Sequence, residues 1–307
     1  MPRLGFGPRR IYLLGGSEGG QVVSTVWAYD PALDSWCEVA SMATKRYGHS
    51  AATLGSKLYA MGGLDAGKAT SLAQADVYDP RVDGWQPLPS MRTARNALAA
   101  VAVAGKVYAI GGENGGDFCD AVEAYDPLSG SWSRAASLPV ARYGHTAAVV
   151  DGKIYVVGGT INNDAGQMTY TDRVDMYDPA VDSWQQRAAM PTVRSWHAAA
   201  VVDGKIYATG GCTISGSKSL TSDALEAYDP VADTWTTLAS LSEARADHAS
   251  VAFNGKLYVF GGFSSAAAAA ARGMDLDLVE VYSPASNSWA SAADMPLPID
   301  EIVAVAL

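Results

Sequence analysis

Pairs of apolar runs meeting across a turn dipeptide recur along this chain. Ala198 to Val202 is a run of small side chains, Lys205 to Gly211 is an aliphatic run ending in glycine, and Asp203-Gly204 separates them. The arrangement returns at Asp151-Gly152 and Asn254-Gly255, dipeptides that tolerate the positive φ of a two-residue hairpin turn. A third run leads into the tyrosine of a Tyr-Asp-Pro or Tyr-Ser-Pro corner, and a fourth begins at a tryptophan. The pattern predicts four short strands, A to D in chain order, forming one antiparallel sheet.

This grammar is written six times. Glycine pairs stand at 15/16, 62/63, 111/112, 158/159, 210/211 and 261/262, and corner tyrosines at Tyr29, Tyr78, Tyr125, Tyr177, Tyr228 and Tyr282. Tryptophan follows each corner tyrosine by seven residues, and ten residues later comes Arg46, Arg95, Arg142, Arg194 or Arg245, with Ile299 in the last copy. From that position to the next glycine pair the spacing is again constant. Only the stretch from the second glycine to the corner tyrosine varies, running 13, 15, 13, 18, 17 and 20 residues.

Repeats of about 50 residues built from short strands indicate a propeller. Strand A is expected innermost, because its side chains are small where six sheets crowd around an axis. Tyrosines and tryptophans then fill the wedges between blades. The chain opens with strands B, C and D of one blade and closes with an orphan strand A, Ile302 to Leu307. That last strand is expected to complete the first blade, so the fold class is all-β: a six-bladed propeller with four antiparallel strands per blade, one domain over residues 1–307.

The double glycines, Tyr-x-x-Gly-Gly strands, corner tyrosines and spaced tryptophans together make the chain resemble the Kelch-repeat β-propellers over essentially its whole length. The resemblance implies a fold that hosts many activities, and most often a binding module. In this family that often means substrate recognition for cullin ubiquitin ligases or attachment to cytoskeletal proteins; the BTB, BACK or F-box segment that would join a ligase is not contained in these residues, so either another region supplies it or the protein works alone.

Composition narrows the class. A formal charge of −10 without a basic cluster argues against nucleic-acid binding. Residues 1–10 lack the apolar run of a signal peptide, and no stretch approaches the roughly 20 apolar residues that cross a bilayer. Three cysteines, Cys37, Cys119 and Cys212, sit at different repeat positions, the usage of reduced thiols in a cytoplasmic protein. Ser264 to Arg272, with its alanine run, reads as a low-complexity insert.

Topology separates scaffold from candidates. The A–B and C–D turns lie on one face and have uniform spacing; the B–C and D–A connections lie on the other and hold every length variation. Loops free to vary on a rigid scaffold are where binding is built. The D–A candidates for partner binding are Tyr47, Asn96, Tyr143, Ser195, Trp196 and Asp247. The B–C candidates are Glu113, Asn114, Asn162 and Phe263, and Kelch substrate receptors contact peptides from these same positions. Trp27 reads as interblade packing, Tyr170 as either an anchor or a plug of its own loop, and the arginines as loop organisers on the rim. Loss of arginine at Ile299 predicts a different corner in the closing blade.

No catalytic, cofactor or metal site is expected. His49, His145, His197 and His248 share one repeat position, and a zinc triad needs its nitrogens about 2.1 Å from one point, whereas a sixfold ring spreads them. The iron motif of plant specifier proteins with this fold is broken here, since Glu243 and Asp247 match but Val251 replaces the histidine. The expected function is therefore non-enzymatic capture of a peptide or loop of a partner protein. The enzyme alternative is a carbohydrate-active propeller such as a sialic-acid mutarotase, using acids around the same pocket.

Overall fold

The computed structural model describes residues 10–65, 67, 70–215, 218–265 and 274–307. Most of the alanine-rich insert lies outside the described residues. Six four-stranded antiparallel sheets are present, in the in-chain order A-B-C-D from the axis outward. The fifth is typical, with Ala198–Val202, Lys205–Thr209, Leu225–Asp229 and Thr234–Thr237 as its strands.

Closure occurs as the sequence predicts. Val303–Ala306 pairs with Ile11–Leu14 in antiparallel register, Ile11 opposite Ala306 and Leu14 opposite Val303. The innermost strands, Ser50–Leu54, Ala99–Val103, Thr146–Val150, Ala198–Val202, Ala249–Phe253 and Val303–Ala306, then neighbour one another in cyclic order. Such radial repetition leaves few free sheet edges. The A–B turns have the conformation their dipeptides imply: Asp203 and Gly204 have φ of 49° and 75°.

The core is a set of wedges between blades. In one, Ala148, Tyr155 and Val157 of the fourth blade pack on Ile206, Ala208 and Tyr228 of the fifth. Each corner tyrosine leans on the tryptophan of its own blade, with ring centroids 4.7 to 5.3 Å apart. The tryptophan indole also ties the blade to the one before it. Trp235 Nε1 donates to the Ala188 carbonyl at 3.0 Å, while Asp233 accepts from the Ala188 amide at 2.9 Å and from the Tyr228 hydroxyl at 2.5 Å. A buried polar tip that finds a partner adds to the apolar area the ring already contributes.

Two expectations need correction. The arginines are not on the rim: all five are completely buried. Each pairs with a carboxylate two residues before a corner tyrosine, namely Asp76, Glu123, Asp175, Glu226 and Glu280. Each also donates to carbonyls of its blade; Arg245 reaches Gly261 O at 3.1 Å and Leu278 O at 3.2 Å. They organise the loops from beneath. The closing blade has the same corner as the others, since Asp300 bridges Ser17 as Asn96 bridges Glu113. What changes is the pair itself. Ile299 replaces arginine and Trp27 stands where the carboxylate would be, and the two belong to one apolar cluster. An apolar pair thus occupies a site that elsewhere holds a buried ion pair, an exchange that is often neutral for stability.

Candidate functional site

The D–A connections converge on the axis through one repeat position, two residues after the arginine. Its occupants are Gly48, Ala97, Gly144, Trp196, Asp247 and Glu301, and all six have positive φ, between 49° and 60°. Their amides link them into a collar. Ala97 N–H donates to Gly48 O at 2.7 Å, Gly144 N–H to Ala97 O at 3.0 Å, Trp196 N–H to Gly144 O at 2.8 Å and Asp247 N–H to Trp196 O at 3.0 Å. A left-handed conformation at a residue other than glycine costs about 1–2 kcal/mol. The collar holds four such residues, and strain of this kind collects at functional sites.

One residue further along lie the histidines. The first glycine of each pair makes room for them: a Cβ at Gly210 would stand 2.6 Å from His248 Cε1 and 2.5 Å from Arg245 O. The four imidazoles are buried, and loss of hydration pushes the pKa of His49, His145 and His248 down to about 3, with a neighbouring arginine adding to the effect. His197 is lowered for the same reasons. They are neutral at physiological pH. Together with the collar they line a cavity of about 130 Å³ at the mouth of the central channel. Among the described residues no three histidine, cysteine or carboxylate groups gather at metal-binding distance.

Around the collar, each residue after the arginine bridges the residue after its blade's glycine pair: Tyr47 to Leu64, Asn96 to Glu113, Tyr143 to Thr160, Ser195 to Cys212 and Ala246 to Phe263. The B–C stretches beyond are not open loops. In five blades they form short two-stranded ribbons, such as Thr160–Asn162 with Met168–Tyr170 and Cys212–Ser215 with Lys218–Thr221.

This framework sorts the sequence candidates. Trp196 and Asp247 reach the cavity. Tyr143 stands edge-on to Trp196, with centroids 5.5 Å apart, and to Phe118 at 4.8 Å. Tyr47 is half-buried beside Gly48, close enough to Glu301 and Glu113 that their charges, after burial, raise its pKa. Asn96 and Glu113 are brought together by a 3.0 Å hydrogen bond from the amide to the carboxylate. Asn96 is nevertheless only 7% exposed and Ser195 not at all, its hydroxyl bonded to Thr160 at 2.8 Å; both fasten loops. Asn114 and Asn162 are exposed on separate ribbons, and half-buried Phe263 sits outside the cavity. Tyr170 is half-buried and bonds Ser219 of the adjacent ribbon at 3.0 Å.

Sequence reasoning missed Phe118 as the third ring of the aromatic group, and gave Glu301 too little weight. The glycines at 48 and 144 carried a usable signal, since glycine recurring at one repeat position marks a left-handed turn. Electrostatically the mouth is acidic. Desolvation, then Asp300, pushes the pKa of Glu301 up to about 8. Asp247 is raised by desolvation, then by Glu301 and Asp300, and Asp300 rises to about 6 through desolvation and Asp275.

A family model described as the KLHDC2/KLHL20/DRC7 Kelch-repeats domain matches residues 7–159 and 97–298. The chain belongs to the Kelch-repeat family. Mouse Kelch-like protein 36 is 32% identical over 122 residues, 39% of this chain and 19% of that protein. Beta-scruin of Limulus polyphemus is 33% identical over 138 residues, 44% of this chain and 14% of that protein. The F-box/kelch-repeat protein At1g67480 of Arabidopsis thaliana is 36% identical over 124 residues, 40% of this chain and 31% of that protein. The matched segments therefore span less than a third of each relative. Among solved structures YjhT superposes with a TM-score of 0.68 over 82% of this chain and 84% of its own, at 18% identity, a likeness of fold. No helix among the described residues of this Kelch chain is long and apolar enough to cross a membrane.

Proposed function

We propose that residues 1–307 act as one protein-interaction propeller, which takes a peptide or loop of a partner protein on the face formed by the B–C ribbons and the collar. The observation that carries this reading is the collar itself. One repeat position holds six residues of five kinds around a concave mouth, flanked by Tyr47, Tyr143 and Phe118. Tyrosine and tryptophan on a rigid frame are the anchors that dominate interface energetics. Membership of a family whose relatives include Kelch-like and F-box/kelch-repeat proteins supports it. A cytoplasmic role as substrate receptor of a ubiquitin ligase, or as cytoskeletal adaptor, is the fuller form of the proposal.

The test combines Tyr47→Ala, Tyr143→Ala and Trp196→Ala, with thermal melting and proximity labelling of the variant beside the wild type. The expected result is an unchanged melt and loss of the specifically labelled proteins. Retention of every labelled protein by a normally folded variant refutes the assignment of the face. A second reading rests on Glu301, which lines the cavity and whose pKa desolvation pushes up to about 8, the range a general acid needs near neutrality. It makes the mouth a catalyst of anomer exchange on a sugar acid, and predicts acceleration that Glu301→Gln abolishes.

A further inference from the structure

In a sixfold ring, positions three apart face each other across the axis. Gly48 therefore faces Trp196, Ala97 faces Asp247 and Gly144 faces Glu301. Every large side chain of the collar looks across the mouth at a glycine or an alanine. Trp196 and Glu301 also lie against their small neighbours in the ring. A Cβ on Gly144 would lie 3.1 Å from the Trp196 ring, and one on Gly48 would lie 3.6 Å from Glu301 Oε2. The result is a mouth bordered by an indole and two carboxylates.

Among the described residues no lysine or arginine pairs with either carboxylate. The buried arginines are committed to the carboxylates beneath the loops. The charged group nearest the two acids is Asp300, with Asp275 beside it and Glu113 beside Tyr47; the titratable neighbours include Tyr47, Tyr170, Cys212 and the cavity histidines His49, His145, His197 and His248. A separate observation points the same way. His49 and His145 line the same cavity at 4% and 6% exposure. Neither ring nitrogen of His49 has a hydrogen-bond partner, whereas His145 has the Ile110 backbone beside its ring. Being neutral, each imidazole presents one nitrogen as an acceptor. The cavity thus combines carboxylate oxygens and an aromatic ring, with the unpartnered imidazole of His49 in its wall, and none of its lining residues is cationic.

We propose that this mouth receives a primary ammonium on a linear alkyl stem, with Asp247 and Glu301 as its counter-charges and Trp196 as its cation–π partner. An ammonium has three donors and no acceptor, which matches a cavity rich in acceptors, and indole is the best aromatic partner for a cation. The ammonium comes either from a lysine of the bound partner or from a free alkylamine. The inference rests on the reading of this face as the binding face. Because both acids resist ionisation in the empty mouth, an entering cation displaces protons, and binding strengthens as pH rises toward and past 8.

The experiment is calorimetric titration of the intact chain with n-butylammonium and with n-butanol as its neutral counterpart, from pH 6 to pH 9, in buffers of different ionisation enthalpy. The variant is Asp247→Asn with Glu301→Gln, which keeps the shape of both side chains and leaves Tyr47, Tyr143 and Trp196 in place. Saturable ammonium binding with proton release, absent for butanol and weakened about tenfold or more in the variant, is the expected outcome. No saturable ammonium binding, or binding unchanged in the variant, overturns the proposal. The labelled partners of the wild type supply the second arm. Lysine→Gln substitutions in them that lose capture in proportion identify the protein source; capture indifferent to those substitutions, with ammonium binding intact, identifies a free amine. The aromatic triple variant reads the wider binding face independently of either result.

Discussion

Removing Arg245 tests how the loops of the B–C and D–A face are held. The guanidinium is fully buried. It donates to Glu280 at 2.6 Å, to Gly261 O at 3.1 Å and to Leu278 O at 3.2 Å. In Arg245→Ile, Glu280 keeps only the Ser242 amide, at 2.9 Å, and becomes a buried carboxylate without a counter-charge. That situation costs about 3–5 kcal/mol, and two carbonyls also lose a donor. The chain contains its own apolar solution at the sixth corner, Ile299 with Trp27. The double variant Arg245→Ile with Glu280→Trp copies that pair, and it should recover all but about 2 kcal/mol, because no charge is stranded. Urea unfolding of the wild type, both single variants and the double gives the cycle. Glu280→Trp alone strands the arginine and should cost a similar 3–5 kcal/mol, so strong non-additivity is expected. A loss below about 1 kcal/mol in Arg245→Ile would show that water replaces the arginine freely. Additive single losses would show that Ile299 and Trp27 are not an equivalent of the ion pair. Either result refutes the reasoning.

Two further outcomes follow from the same loops. The folded-state pKa values of the buried histidines lie near 3, below about 6.5 in the unfolded chain. Stability is therefore complete above pH 6.5 and falls as pH drops toward 3, His49, His145 and His248 each removing about 2 kcal/mol by pH 5. Glu301 acts oppositely: its contribution is complete below about pH 4.5 and is lost as pH rises through about 8. Urea midpoints from pH 5 to 9 should trace a dome, and His49→Leu, matching Leu98 at that repeat position, should flatten the acid limb; an unchanged limb refutes the assignment. Gly210→Ala places a Cβ 2.5 Å from a carbonyl oxygen, whereas Gly152→Ala has nothing within 4 Å, although both have positive φ. The first should lose about 3 kcal/mol or more and the second about 1–2; equal losses in thermal melts would show that the close approach is without consequence.

The fold was legible because its signals are local and repeated. Turn dipeptides, corner tyrosines and strand A alanines each specify one step, and six copies remove the ambiguity of any single one. The ion pairs were legible in principle, for a carboxylate stands two residues before the corner tyrosine in five copies and Trp27 stands there in the sixth. Nothing local in the sequence links position 27 to position 299, however; they meet only when the ring closes. The ribbons escaped notice because most of their strands have only two or three residues, too few to show alternation. The exposure of each candidate was not legible at all. Ser195 and Trp196 are adjacent, yet one is sealed beneath the loops and the other lines the mouth.

That last contrast explains why chemistry gathers at one repeat position. In each D–A connection the scaffold has already claimed the neighbours. The arginine, or Ile299, is held below, the next residue bridges the ribbon, and the one after the collar residue is a histidine in four blades, Leu98 or Ile302 in the others. The collar residue alone is fixed through its backbone, by a left-handed turn that glycine and other residues both adopt here and, at Ala97, Gly144, Trp196 and Asp247, by a hydrogen bond from its amide. Its side chain has no structural task, so glycine, alanine, tryptophan, aspartate and glutamate are all compatible with the same ring. A position with backbone constraints and a free side chain is where a rigid repeat can acquire specificity without losing its fold. The three larger residues occupy consecutive places in the ring, and that asymmetry breaks the equivalence of the six positions around the mouth.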